Sequence, residues 1–369
     1  MTKTLQIDTP VEYGVIDVLR YLLDSHKVHG VFTLKKMDDQ GTIAYALITS
    51  PKELEHAVPL HPIMPVNAGK ALSRFTIKGP TDKPVIAVMK PCELRAFIEL
   101  VKREQGHLEN LIFMSPLCGG VYPSNIMVDN ALEKHLPEYW KAIQKGETPD
   151  TLRPACRSCT EFTPYTADIT IDVVGNNKLD THTHLYLNTE TAETLLKEYN
   201  ATTVTKEPDT KILETIRTKR ETVKTQLFKN LDGTMKGIDG LVEILGRCIG
   251  CHGCSKVCPI CYCKLCEFES PNSEYSPSNY EAELKRRGGL KIPPGTTYYH
   301  IGRLTHISIS CVGCGSCEDA CPVDIPISLI FKKVGESVQN TFQYVPGKKR
   351  DELIPLVTFE GGELSEIEE

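Results

Sequence analysis

The sequence lacks the features that would place it in a membrane, on a nucleic acid or in an oxidising compartment. No run of roughly eighteen apolar residues occurs, so no membrane span is expected. The opening stretch from Met1 to Asp8 has no apolar signal core. Basic residues form only short, isolated groups, Lys285-Arg286-Arg287 and Lys348-Lys349-Arg350, and the formal charge is -6. A nucleic-acid partner is therefore not expected. Fifteen cysteines would suit a secreted disulfide scaffold, but at 369 residues and without a signal the chain points to thiols kept reduced for metal, hence to the cytoplasm. The hydrophobic content of 40% and charged content of 24% are those of a globular chain, long enough for two or three domains.

What the sequence does have is a repeated cysteine motif. Cys248, Cys251, Cys254 and Cys258 precede Pro259, and Cys311, Cys314, Cys317 and Cys321 precede Pro322, each in the pattern CxxCxxCxxxCP. Three thiolates at such intervals wrap one 4Fe-4S cubane, and the fourth Cys ligates the other cubane of a two-cluster module. Zinc would need only four ligands per ion, usually in CxxC pairs, and has no use for the doubled pattern. Fifty-two residues separate the motifs, more than a compact ferredoxin uses, so a helical two-cluster domain is expected. Cys261, Cys263 and Cys266 stand outside these eight and read as structural thiols.

The first half of the chain alternates helix and strand. Val15, Val18, Leu19, Leu22 and Leu23 mark an amphipathic helix. Strands follow at 30–34 and 44–49, then helices at Ser50-Pro51-Lys52-Glu53 and at 67–75. Val85 to Met89 is a buried strand that leads into a helix at Lys90-Pro91-Cys92, and the strand from Leu111 leads into Cys118-Gly119-Gly120. The fold class is α/β, with a mainly parallel sheet flanked by helices and a mostly helical ferredoxin-like domain behind it. Cys92 and Cys118 both fall at carboxyl ends of strands, where ligands of such sheets gather. Cys92 also opens a helix, which favours a thiolate. Cys156 and Cys159 form a CxxC pair before a strand at 167–174. These four can close one more cubane. Alternatively, Cys92 and Cys118 are small core residues and the pair is half of a zinc site. The polar helix expected at 209–230 reads as a solvated connector, and the tail after Arg350, with seven acids, as a solvated end or docking strap.

From about Tyr13 to Asn177 the chain resembles the beta-subunit family of coenzyme F420-reducing hydrogenases and dehydrogenases. The resemblance is carried by the segment Gly14 to Val31, by Pro91-Cys92, by Cys118-Gly119-Gly120, and by Cys156-Arg157-Ser158-Cys159 with Phe162 and Ala167-Asp168-Ile169. It implies FAD beside a 4Fe-4S cluster on Cys92, Cys118, Cys156 and Cys159. Gly14, Asn67, Lys70 and Ser73 lie in stretches similar to the family's flavin-contacting segments. Lys70, Lys90 and Arg95 could anchor phosphates or an anionic flavin, and Lys90 stands where the family has Thr. The C-terminal clusters resemble helical ferredoxin domains of heterodisulfide-reductase-type and formate-dehydrogenase-associated subunits.

The expected organisation is a flavin and cluster domain over 1–205, a connector over 206–236, a two-cluster domain over 237–345 and an acidic tail over 346–369. The expected function is conversion between a hydride carrier, F420 or NAD(P)H, and a one-electron relay through three 4Fe-4S clusters. The relay would serve a hydrogenase, formate dehydrogenase or heterodisulfide-reductase-like partner in an anaerobic complex. The rival reading is a pure electron relay with no diffusible substrate at its flavin.

Overall fold

A computed structural model of the chain describes residues 3–38, 41–127, 131–271 and 274–358. The first half runs β1 (Lys3–Ile7), α1 (Val11–Asp24), β2 (Gly30–Lys36), β3 (Ile43–Ile48), α2 (Ala68–Thr76), β4 (Val85–Val88), α3 (Pro91–Val101) and β5 (Leu111–Pro116). It continues with α4 (Leu132–Gln144), α5 (Pro154–Arg157), β6 (Ile169–Ile171), β7 (Thr183–Leu187), α6 (Glu190–Leu195) and β8 (Thr202–Val204). The described residues beyond are helical or irregular: α7 (Thr210–Thr234), α8 (Gly237–Leu245), α9 (Gly253–Val257), α10 (Pro277–Arg287), α11 (Thr296–Ile307), α12 (Ser316–Asp319) and α13 (Ile327–Thr341).

One eight-stranded sheet has the order β3-β2-β4-β5-β6-β7-β1-β8. Pairing is parallel through β2, β4, β5 and β6, and antiparallel at both flanks. The parallel centre is where the sequence is apolar without alternation: every residue of β4 and β5 is buried. Such strands need helices on both faces. One cover is α1, whose Val15, Val18, Leu19 and Leu22 are fully enclosed. The helix expected at Pro51 is a 3-10 turn, Pro51–His56. The strand expected over 167–174 is reduced to β6.

Two sequence expectations change. Helix α7 is no mere connector, because Arg220 is 2% exposed and bonds to the carbonyls of Cys118 and Gly119, the latter at 2.9 Å. Of the two readings of the tail, the solvated end does not hold for the described part of the segment after α13. Gly347 N donates to Glu99 at 2.8 Å, Arg350 reaches Thr166 O at 2.7 Å, and Ile354 is buried. The acidic residues from 359 onward lie outside the described residues.

Candidate electron-transfer site

The site begins with Glu93, the third residue of α3. Its fully buried carboxylate accepts hydrogen bonds from Lys90 N at 2.9 Å, Ala68 N at 3.0 Å and the Tyr45 hydroxyl at 2.8 Å. One acid thus closes the capping box of α3, holds the start of α2 and places Cys92 over the carboxyl end of β4. Cys118 follows β5, and its neighbours Gly119 and Gly120 leave room for the turn: at Gly120, φ is +111° and an added Cβ would lie 2.8 Å from Leu152 and 3.2 Å from Cys156. Helix α5 presents Cys156, whose Sγ accepts from Val121 N at 3.4 Å. Cys92 lies within electrostatic reach of Cys118 and Cys156, and Cys118 of Cys156 and Cys159. The four expected cysteines therefore converge. Burial pushes the bare thiols of Cys92, Cys118 and Cys156 up, Cys118 to about 12. Desolvation thus outweighs the pull of the α3 terminus on Cys92, and in the free chain these are thiols that a coordinated metal would deprotonate.

The repeated motifs form two more quartets, and they are crossed. One cavity is lined by Cys248, Cys251, Cys254 and Cys321, with His252, His300 and Ile325. Another is lined by Cys258, Cys311, Cys314 and Cys317, with Ile307 and Phe331. Each takes three cysteines from one motif and the last cysteine of the other, as the spacing predicts. Backbone N–H groups of Gly250 and Ile325 point at Cys248 Sγ and Cys321 Sγ, at 3.4 and 3.3 Å. Such N–H···S bonds favour thiolates and tune cluster sulfurs. Each of the two quartets offers four thiols, and no carboxylate or imidazole nitrogen is needed to complete it. A 4Fe-4S cubane takes four thiolates, each on its own iron, and the crossed arrangement of the two motifs is the one a two-cluster module uses, so the donor set fits such clusters.

The quartets follow one another, sheet-side to central to distal. Cys314 of the central quartet lies within electrostatic reach of Cys92, and Cys254 of the distal quartet lies within reach of Cys317. At the first junction Gly315, at φ +82°, packs so tightly that a Cβ would sit 2.7 Å from that of Ala155. Buried Arg153 bonds to Asp319 at 2.5 Å, to Met64 O at 3.1 Å and to Cys314 O at 3.4 Å. Lys332 donates to Ser158 O and faces Cys159. At the far end Cys251 is exposed. Of the three extra thiols, Cys261 lies against Cys258 and Cys263 is exposed.

The six residues expected at the flavin do not form one group. Gly14 serves packing of α1, where a Cβ would lie 2.2 Å from Thr183 Oγ1. Ser73 bonds to Gln105 O. Lys70 and Arg95 instead fasten the helical domain to the sheet: Lys70 Nζ donates to Lys256 O at 2.6 Å and Cys258 O at 2.8 Å, and Arg95 to Val312 O at 2.9 Å. Lys70 Nζ and the Arg95 Nη atoms donate to main-chain carbonyls. Asn67 and Lys90 stay at the ligand end of the sheet, buried at the starts of α2 and α3. The loop before Asn67 lies along that same end, since Tyr122 N bonds to Pro62 O at 2.9 Å. Buried there without hydrogen-bond partners among the described residues are Asn67 Nδ2, His61 Nδ1 and, on β5, Ser115 Oγ. Orphaned donors and acceptors of this kind fit a polar heterocycle such as a flavin. Arg153, Arg220, Arg303 and Lys332 escaped sequence reasoning, because nothing in their spacing relates them to the cysteines they reach in the fold.

An α/β sheet carrying one thiol quartet, joined to a helical domain carrying two crossed ones, defines an iron-sulfur electron-transfer oxidoreductase subunit. Residues 82–211 match the family described as the C terminus of the coenzyme F420 hydrogenase/dehydrogenase beta subunit, and residues 243–325 match the 4Fe-4S dicluster domain. The chain belongs to the coenzyme F420 hydrogenase/dehydrogenase beta-subunit family. It is 30% identical over 380 residues, 94% of each chain, to the F420-dependent formate dehydrogenase subunit beta of Methanocaldococcus jannaschii. It is 28% identical, over 90% of each chain, to the F420-dependent formate dehydrogenase 1 subunit beta of Methanococcus maripaludis. A solved chain of the F420-reducing NiFe hydrogenase complex from Methanosarcina barkeri aligns with a TM-score of 0.43 at 11% identity, covering 65% of this chain and 94% of that one. No helix among the described residues is long and apolar enough to cross a membrane.

Proposed function

We propose that this chain is the FAD-containing, F420-linked subunit of a cytoplasmic formate-dehydrogenase-type complex, carrying three 4Fe-4S clusters. The observation that carries the proposal is the line of three thiol quartets running from the ligand end of the sheet to exposed Cys251. When bound, FAD supplies the interchange between a hydride pair and single electrons, and each 4Fe-4S cluster passes one electron at a time. Cys92, Cys118, Cys156 and Cys159 hold the sheet-side cluster, the central and distal quartets hold the others, and Asn67, Lys90, His61 and Ser115 face the flavin. Glu93 orients this set by fixing α3. Arg153 and Lys332 keep the first junction short, and Cys251 brings the distal cluster to the surface that meets the formate-oxidising partner. The names of the two relatives aligned along most of their length support F420 as the carrier and a formate dehydrogenase as the partner.

The test uses the isolated full chain, reconstituted without oxygen. About twelve iron atoms and one flavin per chain are expected. Reduced F420 and NADH are then added separately while flavin absorbance is followed, with bleaching expected from reduced F420. Bleaching by NADH alone would replace the carrier. If neither bleaches the flavin while a low-potential dye does, the chain is a relay between protein partners. Iron near eight would remove the sheet-side cluster.

A further inference from the structure

Buried cations stand at both junctions of the line, and the three quartets share them unequally. Arg303, 3% exposed, lies between the central and distal quartets. Its Nη1 donates to Cys254 Sγ at 3.0 Å, its Nη2 to Cys254 O at 3.3 Å, and its charge also reaches Cys258 and Cys317. The rings of Tyr299 and Phe331 flank it at 5.5 and 5.2 Å. Lys70 approaches the central quartet through Cys258 O, while Arg95, 4% exposed, approaches through Val312 O and reaches Cys311. Among the described residues none of these three cations is paired with a carboxylate. Lys332 also reaches Cys311, its charge partly offset by Glu336 at 3.9 Å. Two acids of the same motif have nearby partners: Asp319 is paired with Arg153, and Glu318 is bonded to Ser328.

The other quartets are poorer in net buried charge. The distal one shares Arg303, but its second cation, Lys291, which donates to Cys248 O at 2.7 Å, is exposed to water, as is Cys251. The sheet-side quartet has Arg220, and Lys332 and Arg153 also reach it, but Lys332 is shared with Cys311 and faces Glu336, Arg153 is paired with Asp319, and beside Cys92 stands Glu93, a fully buried anion with no cation partner among its hydrogen bonds. Reduction adds one negative charge to a cluster, and a cation in a low-dielectric interior stabilises that charge far more than one screened by solvent.

We propose that Arg303, Lys70 and Arg95 give the central quartet, Cys258, Cys311, Cys314 and Cys317, the highest midpoint potential of the three. It therefore fills first and stores one electron between its neighbours, and Arg303 links it to the distal quartet. The inference rests on the reading that all three quartets hold 4Fe-4S clusters.

An anaerobic redox titration of the whole reconstituted chain, followed by electron paramagnetic resonance, tests it. Lys70→Met is expected to lower the midpoint of the central signal alone, and Lys291→Met that of the distal signal alone. Arg303→Met is expected to lower both, and Arg303→Lys to restore part of the shift. The signal that answers to Lys70→Met should be the first reduced in the unsubstituted chain. A Lys70-sensitive signal that is reduced second or last overturns the proposal. So does an Arg303→Met chain that keeps its iron with both midpoints unmoved. If Arg303→Met loses iron, the order of reduction with Lys70→Met decides alone. Iron near eight in the unsubstituted chain overturns the three-cluster reading itself, a failure distinct from a wrong order among three signals.

Discussion

Replacing Arg153 with Met tests the clasp between the sheet and the helical domain. The substitution keeps side-chain bulk but removes the guanidinium that meets Asp319 at 2.5 Å and the carbonyls of Met64 and Cys314. Both side chains of the pair are nearly enclosed, at 2% and 11% exposure, so Asp319 would be left buried with only Ser124 N, at 3.0 Å, as a donor. Breaking a buried pair from one side costs about 3–5 kcal/mol. With an unfolding entropy of about 2.1 cal/mol/K per residue, a chain of this length should lose about 4–6 °C in Tm. Scanning calorimetry of the reconstituted protein at one fixed rate measures this. The double variant Arg153→Met/Asp319→Asn should recover at least half of the loss, because it removes the stranded charge. Burial holds the Asp319 carboxyl above its usual range even with Arg153 present. A raised folded pKa means that protonation favours the fold, and this contribution disappears as pH rises through the folded value. Removing the arginine raises that pKa further, so the deficit should be largest at neutral pH and narrow as the solution is acidified. A single variant within about 1 °C of the parent, or a double variant no better than the single, would refute the clasp.

Two further outcomes follow from the packing. Gly69→Ala would place a Cβ 2.5 Å from Glu93 O and 2.7 Å from Phe97 N, both backbone, so α2 and α3 must part. Overpacking of this kind costs about 1–3 kcal/mol, and the same movement draws Lys70 away from Cys258. Calorimetry should therefore find a lower Tm than the parent's, and an unchanged value would show that the helices have slack. Cys258→Ser should release about four iron atoms per chain while Cys261→Ser keeps them all, and equal losses in iron analysis would assign Cys261 to the quartet as well.

The grouping of the cysteines was legible in the sequence because their spacings are short and fixed, and the doubled motif already pointed to the placement of Cys258 and Cys321 beside the other motif's thiols. The parallel strands were legible for a related reason: Val85 to Val88 is buried on both faces and reads as an unbroken apolar run. Strands β1 and β8 at the antiparallel flank left no such trace, since polar Lys3, Gln6, Thr202 and Thr203 meet the period of a strand only once a neighbour is known. The long-range cations were the hardest to foresee. Lys70 and Arg95 look from sequence like phosphate anchors, and only the docking of the helical domain reveals that their donors meet main-chain carbonyls. Arg220 sits on a helix whose surface is mostly polar, and which of its cations turns inward depends on where Cys118 ends up.

The exchange of Cys258 and Cys321 also bears on biogenesis. On the proposed ligation, neither half of the helical domain contains a full complement of ligands for either cluster, so a ribosome must release Cys321 before the first of them could be seated. The sheet's own set is finished at Cys159, far earlier in translation. Maturation on that ligation would be staggered, and a truncated or prematurely terminated product could not masquerade as a working conductor.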